Sequence, residues 1–278
     1  MPSPNAASAP PSKCWPEPQP PHNQPVSLTL LAIDCLPDCY RGPKTYILLF
    51  NYFYGNQPSS GMPLFALDKE IIFPPVHLAE PDGLLAVGGD LSTERLLLAY
   101  SQGIFPWYEG QHILWWCPNP RFILTPNTLK VSKSMKQLFK KQAFEFSINQ
   151  AFEEVISNCK SIDRAGQSGT WITNSMKEAY IRLHQQGFAH SAEVWQYGKL
   201  LGGLYGVRLG NVFFGESMFS KVSNASKYAF ISYVQQLQEE GVQLIDCQVY
   251  TEHLESLGAH MIAREDFVQL LQMLIPQP

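Results

Sequence analysis

The 278-residue sequence has no apolar run near the ~20 residues a membrane-crossing helix needs; Val26 to Ile33 and Tyr46 to Tyr54 come nearest and are too short. Neither run joins a basic lead to a small-residue cleavage site, so a secretory signal is not expected. There is no Walker A lysine motif, no HExxH and no GxSxG. Gly88-Gly89 lacks both the GxGxxG spacing and a following Lys-Ser/Thr, which leaves it as a tight turn. The six cysteines, Cys14, Cys35, Cys39, Cys117, Cys159 and Cys247, show no CxxC pair. No metal is therefore expected, and free thiols in a reducing cytoplasm are the simpler reading. Charge is also sparse, at 16% of residues with a net of −4, so no global basic field marks a nucleic-acid binder.

Proline is plentiful but uneven, with twelve of the 22 lying in residues 1–62. Proline lacks a backbone donor and resists both helix and central strand. Residues 1–25 thus read as disordered or polyproline-like. Residues 26–54 are more apolar but show no clean period. Regular text opens near Met62, which leaves the first 61 residues as either an extension or a mis-assigned start.

From Asp82 onward the pattern is orderly. Residues 83–90 read as a strand and turn. Asp90 or Ser92 can cap a helix over about 93–102, stopped by Gly103. Residues 113–116 read as a strand ended by Pro118 and Pro120. Further strands are expected over 144–148, 189–195, 200–208, 211–215 and 243–249, with Gly198 and Gly210 at hairpin turns. Helices are expected over 151–158, 174–186, 264–274 and, capped by Asn224, up to about Glu240. A strand meander, a helix, another strand and another helix is an α+β layout in the order of a GNAT-type acyltransferase.

Two strand segments carry polar groups where apolar ones belong. In Leu244-Ile-Asp-Cys-Gln-Val249, Asp246 and Gln248 fall on one face and Ile245, Cys247 and Val249 on the other. A carboxylate and an amide side by side are costly to bury without partners, so they mark either a site or a hydrogen-bonded core pair. Upstream, Phe214-Gly-Glu-Ser-Met-Phe219 puts Glu216 at the start of the turn after its strand. Lys130, Lys133, Lys136, Lys140 and Lys141 stand together without an acid, three of them at i, i+3 and i+7. They form either a solvated helix face or a phosphate track.

Eight collinear blocks over roughly 70–272 resemble the bacterial leucyl/phenylalanyl-tRNA–protein transferases: 82–92, Gly103-Ile-Phe-Pro-Trp107, Leu114-Trp-Trp-Cys-Pro118, Gly169-Thr-Trp-Ile-Thr173, His190-Ser-Ala-Glu-Val-Trp195, Phe214–Ser220, Asn224-Ala-Ser-Lys227 and Leu244–Val249. The resemblance implies a small N-terminal domain over 63–125 on a GNAT-like catalytic domain over 126–278, after the Pro-rich segment 1–62. It implies transfer of Leu or Phe, and Met less well, from charged tRNA to the α-amine of proteins beginning with Arg or Lys, marking them for N-end-rule degradation. The ester is already activated, so no cofactor is implied.

On this resemblance the Gln248 amide oxygen accepts a hydrogen bond from the acceptor amine, and Asp246 orients and polarises that amide. Glu216 would pair with the acceptor's basic side chain. Phe213 and Met218 are candidate walls of the Leu/Phe pocket, unless they are plain core. Trp107 and Trp171 would stack on the terminal adenosine, with Tyr100 and Tyr180 lining the same cleft by their hydroxyls, while Trp115, Trp116 and Trp195 look like core. The lysine ridge would hold acceptor-stem phosphates. A monomer working in the cytoplasm is expected. Three rivals stand beside this reading: an acetyl-CoA enzyme, disfavoured because Lys221–Lys227 lacks the Gly-rich pyrophosphate loop; a peptidoglycan-directed tRNA-dependent transferase; and a non-catalytic RNA-binding module.

Overall fold

The computed structural model describes residues 64–161 and 172–276, together with the backbone of Ile47–Leu48; the expectations for residues 1–25 lie outside the described residues. Two sheets organise the chain. The first has the order β1-β2-β3-β5-β4 and comprises β1 (Ile47–Leu48), β2 (Leu64–Leu67), β3 (Leu84–Gly88), β4 (Phe105–Pro106) and β5 (Leu114–Trp116). Helix α1 (Thr93–Ser101) leaves it through the expected cap, with the Ser92 hydroxyl accepting from the Arg95 N–H. The tight turn at Gly88-Gly89 uses left-handed φ values of 90° and 70°.

The second sheet has seven strands in the order β12-β6-β11-β10-β9-β8-β7. They are β6 (Arg121–Leu124), β7 (Glu145–Ile148), β8 (Ala189–Gln196), β9 (Lys199–Leu209), β10 (Val212–Ser220), β11 (Leu244–Gln248) and β12 (His260–Ile262). The helices between and after them are α2 (Lys133–Lys140), α3 (Phe152–Ser161), α4 (Asn174–Gln185), α5 (Ala225–Glu239), α6 (Glu252–Glu255) and α7 (Arg264–Leu274). Strands β7 to β10 form an antiparallel meander, α5 crosses over, and β11 returns parallel to β10. This is the α+β, GNAT-like order expected from the sequence.

Alternation along the strands divides the core in two. Val212 and Phe214 join α1, α3, α4 and α7 on one side of the sheet. Phe213 and Ile245 join α2, α5 and α6 on the other. The helices carry matching stripes: Leu96, Ala99 and Tyr100 on α1, and Met176, Ala179, Tyr180 and Leu183 on α4, at i, i+3, i+4 spacing.

Three expectations are corrected here. The sequence reading placed no strand at 121–124, but β6 lies between β11 and β12 in the larger sheet. All four of its residues are buried, so there is no alternation to read. Strand β10 runs on to Ser220, which puts Glu216 in mid-strand at a bulge rather than in a turn. Asn224 makes no side-chain cap on α5; it sits at φ 68°, and the Ser220 hydroxyl accepts from the Ser226 N–H instead.

Candidate active site

β10 and β11 pair for only three residues each, Val212 to Phe214 against Leu244 to Asp246. Both strands then bulge: β10 between Gly215 and Ser217, against β9, and β11 between Asp246 and Gln248, against β6. A bulge inserts a residue, bends its strand and re-aims side chains. Here the two bulges lie just past the last β10–β11 pair, and Glu216 and Gln248 reach across to each other. The Gln248 Nε2 donates to Glu216 Oε1 at 2.8 Å.

Gln248 stands at φ 62°, a left-handed conformation that costs a non-glycine residue of order 1–3 kcal/mol and persists only where neighbours enforce it. Asp246 enforces it, since its Oδ1 accepts the Gln248 backbone N–H at 2.9 Å. Asp246 is in turn fixed by Arg121, whose Nε and Nη2 donate to the two carboxylate oxygens at 2.8 and 2.6 Å. The guanidinium is sandwiched between the rings of Phe105 and Phe267, 4.7 Å from each centroid. Burial pulls the Arg121 pKa down, but the Asp246 carboxylate outweighs it and the net shift is upward.

Glu216 collects three donors. The Tyr100 hydroxyl reaches Oε1 at 2.7 Å, the Tyr180 hydroxyl reaches Oε2 at 2.9 Å, and the two phenol oxygens are 2.5 Å apart. Burial pushes the Glu216 carboxyl up from 4.5 to about 7, with the three donors pulling the other way. Burial, with the Glu216 charge next, also raises both phenols well above 10.

The structure thus gathers Gln248, Asp246, Glu216, Tyr100 and Tyr180, though in other relations than the sequence suggested. Asp246 has no exposed surface, and the bond it makes to Gln248 is to the backbone, not to the amide. It cannot touch a substrate, because its charge is spent on Arg121. Glu216 does not stand free for an acceptor's basic side chain, as both its oxygens are engaged. Tyr100 and Tyr180 are fully buried and line no cleft; they hold Glu216. Gln248 keeps 8% exposure and Glu216 is half-buried, so these two are the members of the group with surface open to an incoming molecule.

Phe213 and Met218 belong to the cluster on the α5 side of the sheet. Phe213 is buried, edge-on to Tyr233 at 5.1 Å, while Met218 is half-buried. Trp107 is half-buried, 5.8 Å from Trp116, whose Nε1 donates to the Trp107 carbonyl. Trp171 lies outside the described residues. Trp115 is fully buried, whereas Trp116 and Trp195 are half-buried. Lys130, Lys133, Lys136, Lys140 and Lys141 are all exposed along α2 and its flanks, with Met135 anchoring the helix.

Arg121 is the residue the sequence reading missed. Its signal was a charge at the head of the apolar run Arg121-Phe-Ile-Leu124, which a buried strand admits only beside a counter-charge. Within the block 190–195, Glu193 is fully buried and accepts from the hydroxyls of Ser147 and Ser191 at 2.6 and 2.5 Å. Among the described residues no group of His, Cys, Asp or Glu could hold a metal ion, and no helix is long and apolar enough to cross a membrane.

Comparison with known proteins adds the chemistry. A family model described as leucyl/phenylalanyl-tRNA protein transferase matches residues 123–272, and the model of that family's N-terminal domain matches residues 89–119. The chain is 56% identical over 210 residues to the leucyl/phenylalanyl-tRNA–protein transferase of Flavobacterium johnsoniae, covering 75% of this chain and 99% of the relative. It is 55% identical over 217 residues to that of Syntrophobacter fumaroxidans, covering 78% and 93%. Among solved structures, a GCN5-related N-acetyltransferase-like protein from Streptococcus suis aligns over 64% of this chain and 68% of its own at 10% identity, with a TM-score of 0.33. At that level the strand order, not the superposition, describes the fold. Matches of this extent put the protein among the aminoacyltransferases. More narrowly, the chain belongs to the leucyl/phenylalanyl-tRNA–protein transferase family.

Proposed function

We propose that the protein moves a leucyl or phenylalanyl group, and a methionyl group less well, from its tRNA to the α-amine of proteins beginning with Arg or Lys. The product is a peptide bond and a new N-terminal residue that marks the acceptor for degradation by the N-end rule. The work is cytoplasmic, where charged tRNA is made, and needs no cofactor, because the aminoacyl ester arrives activated.

The observation that carries this reading is the setting of Gln248. Its NH2 end is committed to Glu216, so its amide oxygen is the free end. Gln248 and half-buried Glu216 are the two members of the cluster with exposed surface, and both oxygens of Glu216 are already engaged. An amide oxygen is a poor base but a good acceptor, and it can hold the acceptor amine with its lone pair toward the ester carbonyl. A free α-amine has a pKa of about 7.7–8.0, so a useful fraction is neutral, and approximation supplies much of the acceleration. The Arg121–Asp246 pair serves by fixing the left-handed turn from which Gln248 projects.

Half-buried Trp107, and Trp171 with it, would stack on the terminal adenosine, each stack being worth ~1–3 kcal/mol without regard to sequence. Met218 suits a wall for side chains as different as Leu and Phe, with Phe213 packed in the same cluster. The exposed lysines of α2 would follow acceptor-stem phosphates, which carry no sequence information and so let several tRNAs in. The domains over 63–125 and 126–278 would supply the aromatic and the catalytic parts of one cleft.

The test is single-turnover transfer from Leu- or Phe-tRNA to an Arg-starting peptide, with an Ala-starting peptide, a muropeptide and acetyl-CoA as alternatives. Transfer to the Arg peptide, lost in Gln248→Ala while tRNA affinity persists, is the expected result. Normal turnover by Gln248→Ala ends the reading.

A further inference from the structure

The three oxygen contacts among Tyr100, Tyr180 and Glu216 contain a proton count that does not close. The contacts are Tyr100 to Tyr180 at 2.5 Å, Tyr100 to Glu216 at 2.7 Å and Tyr180 to Glu216 at 2.9 Å. Each needs one hydrogen. With the carboxyl ionised, only the two phenol hydrogens are available, so one contact is always without a proton. One more proton on Glu216 fills the ring: carboxyl to one phenol, that phenol to the other, and the second phenol back to the carboxyl. Oε1 still accepts Gln248 Nε2 in that state.

We propose that Glu216, with this tyrosine pair, is the positioning residue behind Gln248 in the transfer step, storing the proton that passes through the amide. The proposal rests on the transferase reading above. The acceptor N–H gives its proton to Gln248 Oε1 while Gln248 Nε2 gives one to Glu216 Oε1. The amine nitrogen bonds to the ester carbonyl carbon, and the bond from that carbon to the ribose oxygen breaks. The departing oxygen takes the proton from Gln248 Oε1, and Glu216 returns its own to Nε2. Protons and electron pairs balance, and the enzyme ends as it began.

Asp246 cannot fill this place. Its carboxylate is 2.6–2.8 Å from Arg121 and bonds Gln248 at the backbone N–H. The groups around Glu216 are Tyr100 on α1, Tyr180 on α4, Tyr205 on β9 packed edge-on to Tyr180, and Asp246 on β11 with Arg121 on β6 beyond it. Burial of this ring brings the carboxyl to about 7, so the proton site fills and empties near neutrality.

The experiment is the pH profile of single-turnover transfer for wild type and Glu216→Gln. Glutamine keeps an acceptor for Gln248 and Tyr100 and a donor for Tyr180, so a purely structural role survives the change. The acceptor amine titrates alike in both enzymes, and the difference between profiles isolates Glu216. The expected result is a wild-type rate that rises through about pH 7. In Glu216→Gln that step is absent and the rate is lower by ~10²-fold or more, the lower edge for a positioned proton-transfer group. Wild-type rate and profile in Glu216→Gln overturn the proposal, while loss of transfer specificity or normal Gln248→Ala turnover overturns the transferase reading instead. Should Glu216→Gln fail to fold, the carboxyl of Glu216 is titrated by carbon-13 NMR in Tyr180→Phe. Losing a donor to the carboxylate moves the midpoint up, and an unmoved midpoint refutes the shared ring.

Discussion

Replacing Asp246 with alanine removes the only acceptor Arg121 has among the described residues. The guanidinium is buried, its Nη1 already makes no hydrogen bond, and Nε and Nη2 would join it. Breaking a buried ion pair from one side costs ~3–5 kcal/mol, because the surviving charge stays desolvated. Against a typical total stability of ~5–15 kcal/mol, that is a large share. With an m-value of ~2 kcal/mol per molar, the urea midpoint should fall by about 2 M. The paired replacement Arg121→Met with Asp246→Leu should recover most of that loss. Apolar residues of similar volume avoid the desolvation cost, and a thioether packs well between the Phe105 and Phe267 rings.

Activity should not follow stability. In the double variant the Gln248 N–H has lost its acceptor, and nothing holds the residue at φ 62°. Urea titration followed by tryptophan fluorescence, beside single-turnover transfer, separates the two effects. A double variant as unstable as Asp246→Ala would refute the charge-pair account. A double variant that transfers normally would refute the claim that Asp246 acts by holding the Gln248 backbone.

Three further outcomes are expected. Replacing Lys133 and Lys136 by alanine should lower the slope of log affinity against log salt by ~2 in a tRNA-binding titration, about one per lost phosphate contact; an unchanged slope removes α2 from the RNA interface. Glu216 has its carboxyl raised from 4.5 to about 7, so the folded state binds a proton more tightly than the unfolded state. Its contribution is therefore full below pH 4.5, is lost as pH rises to about 7, and is flat above; Glu216→Gln should remove that fall from thermal melts taken across the window. At Gly206, which faces Gly215 across the β10 bulge, a Cβ would stand 2.1 Å from the Phe214 carbonyl and 2.5 Å from the Phe213 ring. Gly206→Ala should cost ~1–3 kcal/mol by chemical denaturation, since backbone cannot yield as a side chain can.

Much of the fold was legible because its signals are local. The α4 stripe needs only Met176, Ala179, Tyr180 and Leu183 at helical spacing, and the span of α7 followed from its period and its flanks. Polar residues in a strand likewise drew notice to Asp246, Gln248 and Glu216 without coordinates. What a local pattern cannot encode is which distant group meets which. Arg121 and Asp246 are 125 residues apart, and Tyr100 and Glu216 are 116 apart. Strand alternation, applied without the bulge, put Asp246 against the Gln248 amide.

The sequence by itself determined the family, the α+β order and the identity of the polar residues, because each of these is written in spacing and residue type. Only the tertiary structure decided their partners. Two strands separate after three pairs, each bulges by one residue, and the carboxylate that reaches the Gln248 amide is then the one on the neighbouring strand rather than the one two positions back. The cause is physical: a buried charge goes to the counter-charge the fold brings beside it, and Arg121 on β6 claims Asp246, leaving Glu216 for Gln248.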